Sequence, residues 1–133
     1  MIIETKHGQD ILKSGAKHIC FAVNTEGIND SGFAGLISRN YWPELADIGE
    51  CELGTSLTHE DDGVIYHALV CHSLHDGWHN SSEVVRQCFD SIPTEDEVAT
   101  ISIGTGLVVV LSGANFAEIR HGMETSKKKI ILF

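Results

Sequence analysis

The sequence predicts a three-layer α/β/α domain built on a mixed, mostly parallel sheet of about six strands. Segments 17–23 (KHICFAV) and 64–71 (VIYHALVC) are almost continuously apolar, as is typical of strands buried on both faces. Segments with helical spacing alternate with such strands, and this alternation favours parallel pairing through helical crossovers. Because 133 residues are enough for one hydrophobic core, we expect a single domain over residues 1–133.

The first half of the chain opens with a short strand at 1–5. One helical turn is expected to start at Asp10 and to end at Gly15. After strand 17–23, apolar residues at helical spacing predict a helix over 33–41, which Pro43 closes.

The second half begins with a predicted antiparallel hairpin of segments 50–58 and 64–71, separated by turn residues at 61–63. Asn80 and Glu83 match a capping box, so we expect a helix with one apolar face to begin there. The elements expected to complete the domain are a strand at 98–103, a helix over 116–123 and a strand at 129–133.

Composition excludes several classes of partner. Apolar residues make up 42% of the chain and charged residues 21%, as in folded globular proteins. No apolar run approaches the roughly 20 residues that span a bilayer, and the first residues lack a signal-peptide pattern, so we expect a cytoplasmic protein without a membrane partner. A net charge of −10 repels duplex nucleic acid. We expect no cofactor, and the oligomeric state stays open.

The cysteines and histidines do not match a known reactive or metal-binding pattern. Widely spaced cysteines predict buried, reduced thiols; they are Cys20, Cys51, Cys71 and Cys88. Four histidines crowd one strand and its following loop, but no second group completes a zinc site, so we expect no metal; they are His67, His72, His75 and His79. Cys71 and His72 are adjacent in a strand and point to opposite faces, which argues against a nucleophile–base pair. His72 and Trp78 are candidates for lining a ligand pocket instead.

Three loops are expected at the carboxyl ends of the parallel strands, where open α/β sheets bind their ligands. They span 24–35, 72–79 and 104–113. The first and third are rich in glycine, which lets the backbone approach a ligand, and each leads into a helix whose N-terminus favours a phosphate. Two such loops facing each other could hold a diphosphate.

Taken in order, these segments resemble the macro domain family. The resemblance covers nearly the whole chain and is carried by GQDIL at 8–12, KHICFAVN at 17–24 with the glycine loop and helix after it, Gly49-Glu50, VIYHALVC and ISIGTGL at 101–107. It is greatest for short macro domains that bind or hydrolyse ADP-ribose derivatives. The resemblance therefore implies ADP-ribose or an ADP-ribosylated substrate as the partner.

The resemblance also implies roles for individual residues. Asp10, with Ile11 beside it, would contact the adenine amino group, although Asp10 is equally suited to cap a helical turn. Asn24 would orient the distal ribose, although an asparagine here can also stabilise its own loop. The two phosphate-binding loops would consist of Ser31, Gly32, Phe33, Ala34 and Gly35, and of Gly104, Thr105, Gly106 and Leu107.

The acids of hydrolytic macro domains are absent from their usual places. Ala34 stands where many such domains carry an acid, and apolar residues occupy 107–110, where another subgroup has one. That subgroup also uses a lysine, where this chain has His67 and apolar neighbours. Asp30 and Asn24 are therefore the candidate catalytic residues, for an ADP-ribosyl hydrolase or an ADP-ribose-1″-phosphate phosphatase.

Three functions remain open at this point. The first is hydrolysis, with water activated by Asp30 or by the phosphate of the ligand. The second is a module that binds ADP-ribose-type nucleotides without turnover. The third is a changed pocket for another nucleotide or a protein partner; the apolar run 107–111 is consistent with it, and also with a lid or an oligomer contact.

Overall fold

The computed structural model describes residues 1–104 and 113–133. Their strands are β1 (Ile2–Thr5), β2 (His18–Asn24), β3 (Ser56–Asp61), β4 (Val64–His72), β5 (Val98–Thr100) and β6 (Ile130–Leu132). Their helices are α1 (Gly32–Asn40), α2 (Ser81–Asp90) and α3 (Phe116–Thr125), with short 3₁₀ turns at Ile11–Lys13 and Pro43–Asp47. None of these helices has the length and apolar character needed to cross a membrane.

The six strands form one sheet in the order β1-β6-β5-β2-β4-β3. Strand β3 runs antiparallel to β4, and the other neighbouring strands are parallel. The β3–β4 turn places Asp62 and Gly63 at positive φ, the conformation that tight two-residue hairpin turns favour. The predicted mixed, mostly parallel α/β sheet is therefore confirmed.

Strand β2 lies in the middle of the sheet and is apolar towards both faces. Its Phe21 belongs to a core cluster with α1 and the Pro43–Asp47 turn, in which the Phe21 ring meets Trp42 edge-on at 6.5 Å. Its Cys20 belongs to a second cluster with α2 and α3. The continuous apolar pattern of this segment thus reflects two cores, one on each side of the sheet.

Three local predictions differ from the structure. Strand β3 occupies Ser56–Asp61 instead of 50–58, because its ladder with β4 starts at the Ser56–Leu69 pair. Strand β5 ends at Thr100 instead of 103. The capping box is absent: Asn80 adopts a left-handed conformation, φ 48, without a side-chain cap hydrogen bond, and Glu83 interacts with side chains on its own helix.

The prediction of buried, unpaired thiols holds for three of the cysteines. Cys20, Cys71 and Cys88 are buried and free, whereas Cys51 is only half-buried.

A row of hydrogen-bonded polar side chains extends across one face of the sheet near the start of β2. His18 Nδ1 lies 2.9 Å from His67 Nε2, and His67 Nδ1 lies 3.1 Å from the Thr58 hydroxyl. At the other end, His18 Nε2 lies 3.4 Å from an Asp96 carboxylate oxygen. Burial lowers the pKa of His67 to about 4, and His18 and Lys128 act in the same direction. His67 is therefore neutral at physiological pH.

We predict that this histidine makes the fold sensitive to mild acid. A histidine with a lowered pKa contributes stability that is complete above its unfolded pKa of 6.5 and is lost as the pH falls through its folded pKa of about 4. Over this window the free energy of unfolding should fall by about 3 kcal/mol. Urea denaturation at a series of pH values measures this loss.

His67→Gln should flatten the pH dependence between these two values, whereas His79→Gln, which changes an exposed histidine, should leave it unchanged. Equal pH dependence in the wild type and in His67→Gln would show that His67 is not its source.

Candidate functional site

A cleft of about 500 Å³ lies at the carboxyl end of β2. It is bounded by the loop after β2, the start of α1, the end of β4 and the segment after β5. The volume falls within the range of roughly 300–1,000 Å³ that is typical of small-molecule sites. The predicted site residues that line it are Asn24, Asp30, Ser31, Gly32, Phe33, Ala34 and Gly104.

The other predicted site residues do not line this cleft or lie outside the described residues. Asp10 caps the first 3₁₀ turn, accepting the Leu12 N–H at 3.0 Å, and Ile11 is buried in a core cluster. Gly35 packs against the backbone of Asp30, where an added Cβ would lie 2.8 Å from the carbonyl carbon. Thr105, Gly106 and Leu107 are outside the described residues, as is the apolar run 107–111. Their roles in binding stay predictions.

Asn24 uses its side-chain amide to close the loop that follows β2. Its Nδ2 donates to the Ile28 carbonyl at 2.9 Å, and its Oδ1 accepts the Ile28 N–H at 3.0 Å. Both polar groups of the side chain are therefore engaged by one residue of the loop. A role for Asn24 in contacting a ribose stays a prediction.

The start of α1 forms one wall of the cleft. Ser31, the residue before the helix, is extended and makes no side-chain cap hydrogen bond. Gly32 has φ 61, and a Cβ at this position would meet no atom within 4 Å. Within residues 1–104 and 113–133, no side chain accepts a hydrogen bond from the first N–H groups of the helix, which suits them to bind an anion.

Glu26 ties the loop after β2 to the loop after β4. Its carboxylate accepts the Leu74 N–H at 2.8 Å and the hydroxyls of Ser73 and Thr25 at 2.7 Å and 3.0 Å. Burial acts to raise the pKa of Glu26, but these hydrogen bonds outweigh it and lower the pKa to about 2. The carboxylate is thus ionised in the folded protein and fixes the two loops against each other.

Two buried polar atoms on the cleft-lining residues lack a hydrogen-bond partner in the described part of the chain. They are Oδ1 of Asn29 and Nδ1 of His72, on side chains that are 5% and 4% exposed. The other end of the Asn29 amide donates to the Leu45 carbonyl at 3.0 Å. An unsatisfied buried polar atom costs about 1–3 kcal/mol, so these atoms favour a ligand that supplies the missing bonds.

The ring of His72 is held in place by Trp78. The two rings stack with centroids 4.6 Å apart and an interplanar angle of 4°. Burial lowers the pKa of His72, although the charge of Glu26 acts in the opposite direction. Of the two predicted pocket residues, His72 lines the cleft, whereas Trp78 is not among the lining residues and supports His72 from behind.

The described residues give no support to a cysteine nucleophile or to a metal site. A hydrogen bond with Cys88 and burial raise the pKa of the Cys71 thiol well above its ordinary value, which disfavours a thiolate nucleophile. Within residues 1–104 and 113–133, no group of three or more histidine, cysteine or acidic side chains is arranged to hold a metal ion.

Sequence reasoning missed Glu26 and Asn29. Both lie in the polar stretch 24–32, where asparagine, aspartate and glutamate alternate with turn residues. Nothing in the local pattern separates these two side chains from their neighbours, because their partners, Ser73, Leu74 and Leu45, are distant in sequence.

Comparison with solved structures shows that the chain has the macrodomain fold. The macrodomain of Mycobacterium tuberculosis DarG matches with a TM-score of 0.67 and 14% identity, over 99% of this chain and 96% of that chain. Thermosipho africanus DarTG in complex with ADP-ribose matches with a TM-score of 0.65 and 12% identity, over 92% of this chain and 39% of that chain. A mutant of the Oceanobacillus iheyensis macrodomain with ADP-ribose matches with a TM-score of 0.63 and 16% identity, over 93% of this chain and 80% of that chain.

No protein-family model and no curated protein matches the sequence. The predicted resemblance to macro domains is confirmed by these structures at the level of the fold.

Gly27 brings the loop after β2 into direct contact with a distant segment. It has φ 72, and a Cβ at this position would lie 2.0 Å from the carbonyl oxygen of Gly49. We predict that Gly27→Ala lowers the free energy of unfolding by about 3 kcal/mol, because it combines backbone strain with a clash that only a backbone shift relieves. Chemical denaturation measures the loss.

Gly8→Ala is the matched control, because Gly8 has φ 74 but open space around the added Cβ. Gly8→Ala should lower the free energy of unfolding by about 1 kcal/mol, because it introduces only backbone strain. If the two variants were equally stable, the close contact with Gly49 would not constrain the loop.

Proposed function

We propose that this chain binds ADP-ribose, or a molecule that contains ADP-ribose, in the cleft at the carboxyl end of β2. The observation that carries the proposal is a pair of buried polar atoms, on Asn29 and His72 of the cleft wall, that have no hydrogen-bond partner among the described residues. The macrodomain fold supports it, since two of the similar structures contain ADP-ribose.

The chemistry of the cleft suits a ligand with phosphates and sugar hydroxyls. The uncapped start of α1 offers N–H groups to a phosphate despite the net charge of −10, because these dipoles act at short range. Ribose hydroxyls both donate and accept hydrogen bonds. The Asn29 carbonyl oxygen is an acceptor that matches them, and a neutral His72 ring has one donor and one acceptor.

We further propose that Asp30 activates water for hydrolysis of an ADP-ribosyl bond. Asp30 lines the same cleft, and its exposed carboxylate makes no hydrogen bond or ion pair with the described residues. An unengaged carboxylate beside a bound ligand is suited to accept a proton from an attacking water. Binding without turnover is the alternative function.

The binding proposal is tested by calorimetric titration with ADP-ribose, with AMP, ADP and NAD for comparison. We expect micromolar, selective binding by the wild type. His72→Phe keeps a ring stacked on Trp78 but removes both nitrogens, so affinity should fall about tenfold, the equivalent of one hydrogen bond to a buried group. His75→Phe, at an exposed position outside the cleft lining, should bind as the wild type does.

Absence of heat with ADP-ribose, from protein shown to be folded by circular dichroism, would overturn the proposed ligand. Equal affinities of the wild type and His72→Phe would instead remove His72 from the binding site.

The hydrolysis proposal is tested with an ADP-ribosylated protein as substrate. Asp30→Asn should bind ADP-ribose with unchanged affinity but release it from the substrate at least about 100-fold more slowly, the usual loss when a general base is removed. Asp47→Asn, in the 3₁₀ turn after α1 and outside the cleft lining, should keep full activity. No turnover by the wild type would establish the binding module in place of the enzyme.

A further inference from the structure

A second cleft lies at the opposite edge of the sheet, at the amino ends of β2 and β4. Its volume is about 290 Å³. It is bounded by the turn before β2, the end of α1 and the β3–β4 turn. The residues that give it its chemical character are Lys17, Tyr41, Asp61, Asp62 and Tyr66. It shares no lining residue with the cleft to which we assign ADP-ribose.

Two stacked tyrosines form the aromatic part of this second cleft. The rings of Tyr41 and Tyr66 have centroids 5.4 Å apart and an interplanar angle of 16°. Tyr66 is only 3% exposed, yet its hydroxyl makes no hydrogen bond with the described residues. The hydroxyl is not among the fully buried, unpartnered atoms of the described residues, so it keeps access to the cleft, where an entering group can bond to it.

The rim of the second cleft is negatively charged. Asp61 and Asp62 form no ion pair within residues 1–104 and 113–133, and Lys17 at the same rim offsets only one of the two charges. Burial raises the pKa of Tyr66, and Tyr41, Asp61 and Asp62 add to this rise, so both carboxylates lie close enough to act on the phenol. The phenol stays protonated, and the rim repels phosphates and other anions.

We propose that the second cleft binds a guanidinium group. Aromatic faces next to carboxylates are the surroundings that organic cations favour. Among such cations, guanidinium is planar and weakly hydrated, so it can stack on a tyrosine ring while it donates paired hydrogen bonds to a carboxylate. At 290 Å³ the cleft lies just below the usual range of about 300–1,000 Å³ for small-molecule sites, which suits a ligand group as small as the end of an arginine side chain. The group is carried by a small molecule or by an arginine of a partner protein.

The test is a titration with ethylguanidinium followed by ¹H–¹⁵N NMR, at constant ionic strength. Ethylurea is the neutral isostere, and n-butylammonium is a cation without the planar group. We expect millimolar, saturable shifts that are confined to the residues around the second cleft. Ethylurea should give no saturable shifts, and n-butylammonium should bind at least about threefold more weakly.

Variants that remove a negative or a positive charge from the rim should change the affinity for ethylguanidinium in opposite directions. Asp61→Asn/Asp62→Asn should weaken ethylguanidinium binding about tenfold, and the fold should survive because asparagine tolerates the φ of 49 at position 62. Lys17→Gln removes the like charge from the rim and should tighten binding about twofold. Because this cleft is separate, none of these variants should change the affinity for ADP-ribose.

A Gly-Arg-Gly peptide distinguishes the two sources of the group. Tighter binding of the peptide than of ethylguanidinium would indicate an arginine of a partner protein, and equal or weaker binding would indicate a small molecule. The proposal is overturned if ethylguanidinium gives no saturable shifts, if ethylurea or n-butylammonium binds equally well, or if the double aspartate variant binds as the wild type does.

Discussion

Strand β2 sets the constraint on which the rest of the structure depends. Because it is apolar towards both faces, the sheet requires a helical layer on each side, and two core clusters fill the space between the layers. Packing therefore occupies both faces of the sheet around β2, and the ends of this strand are free to take part in ligand sites. Both clefts lie at such ends, the larger at the carboxyl end of β2 and the smaller at its amino end.

The larger cleft keeps its shape through polar contacts made by its own loops. The ionised Glu26 holds the loop after β4, and Asn24 closes its loop onto Ile28. Beside these contacts, Asn29 Oδ1 and His72 Nδ1 are buried without a hydrogen-bond partner among the described residues. In the proposed complex, a ligand that formed the missing bonds would recover free energy lost there in folding, as in a preorganised site.

The fold could be predicted from sequence because periodicity is local. The apolar segments at β2 and β4 and the helical spacing of α1 specify a layered sheet, and the first glycine loop pointed to the larger cleft. Glu26 and Asn29 could not be predicted, because their partners come from distant loops. The prediction of a capping box at Asn80 was wrong because this residue adopts a left-handed conformation instead of the extended one typical of an N-cap, and its side chain makes no cap hydrogen bond. Strand ends were misplaced because the register of a ladder is a tertiary property.

The contact between Gly27 and the Gly49 carbonyl has a consequence for any attempt to transplant the pocket into another scaffold. The contacts within the loop after β2 do not fix its conformation alone. The turn at Gly27 packs directly against Gly49, more than twenty positions further along the chain. A second contact, from the Cys51 N–H to the Thr25 carbonyl at 2.8 Å, reinforces the same pairing. The smallest portable unit is therefore a discontinuous one, in which residues 24–35, 45–51 and 72–74 are grafted together.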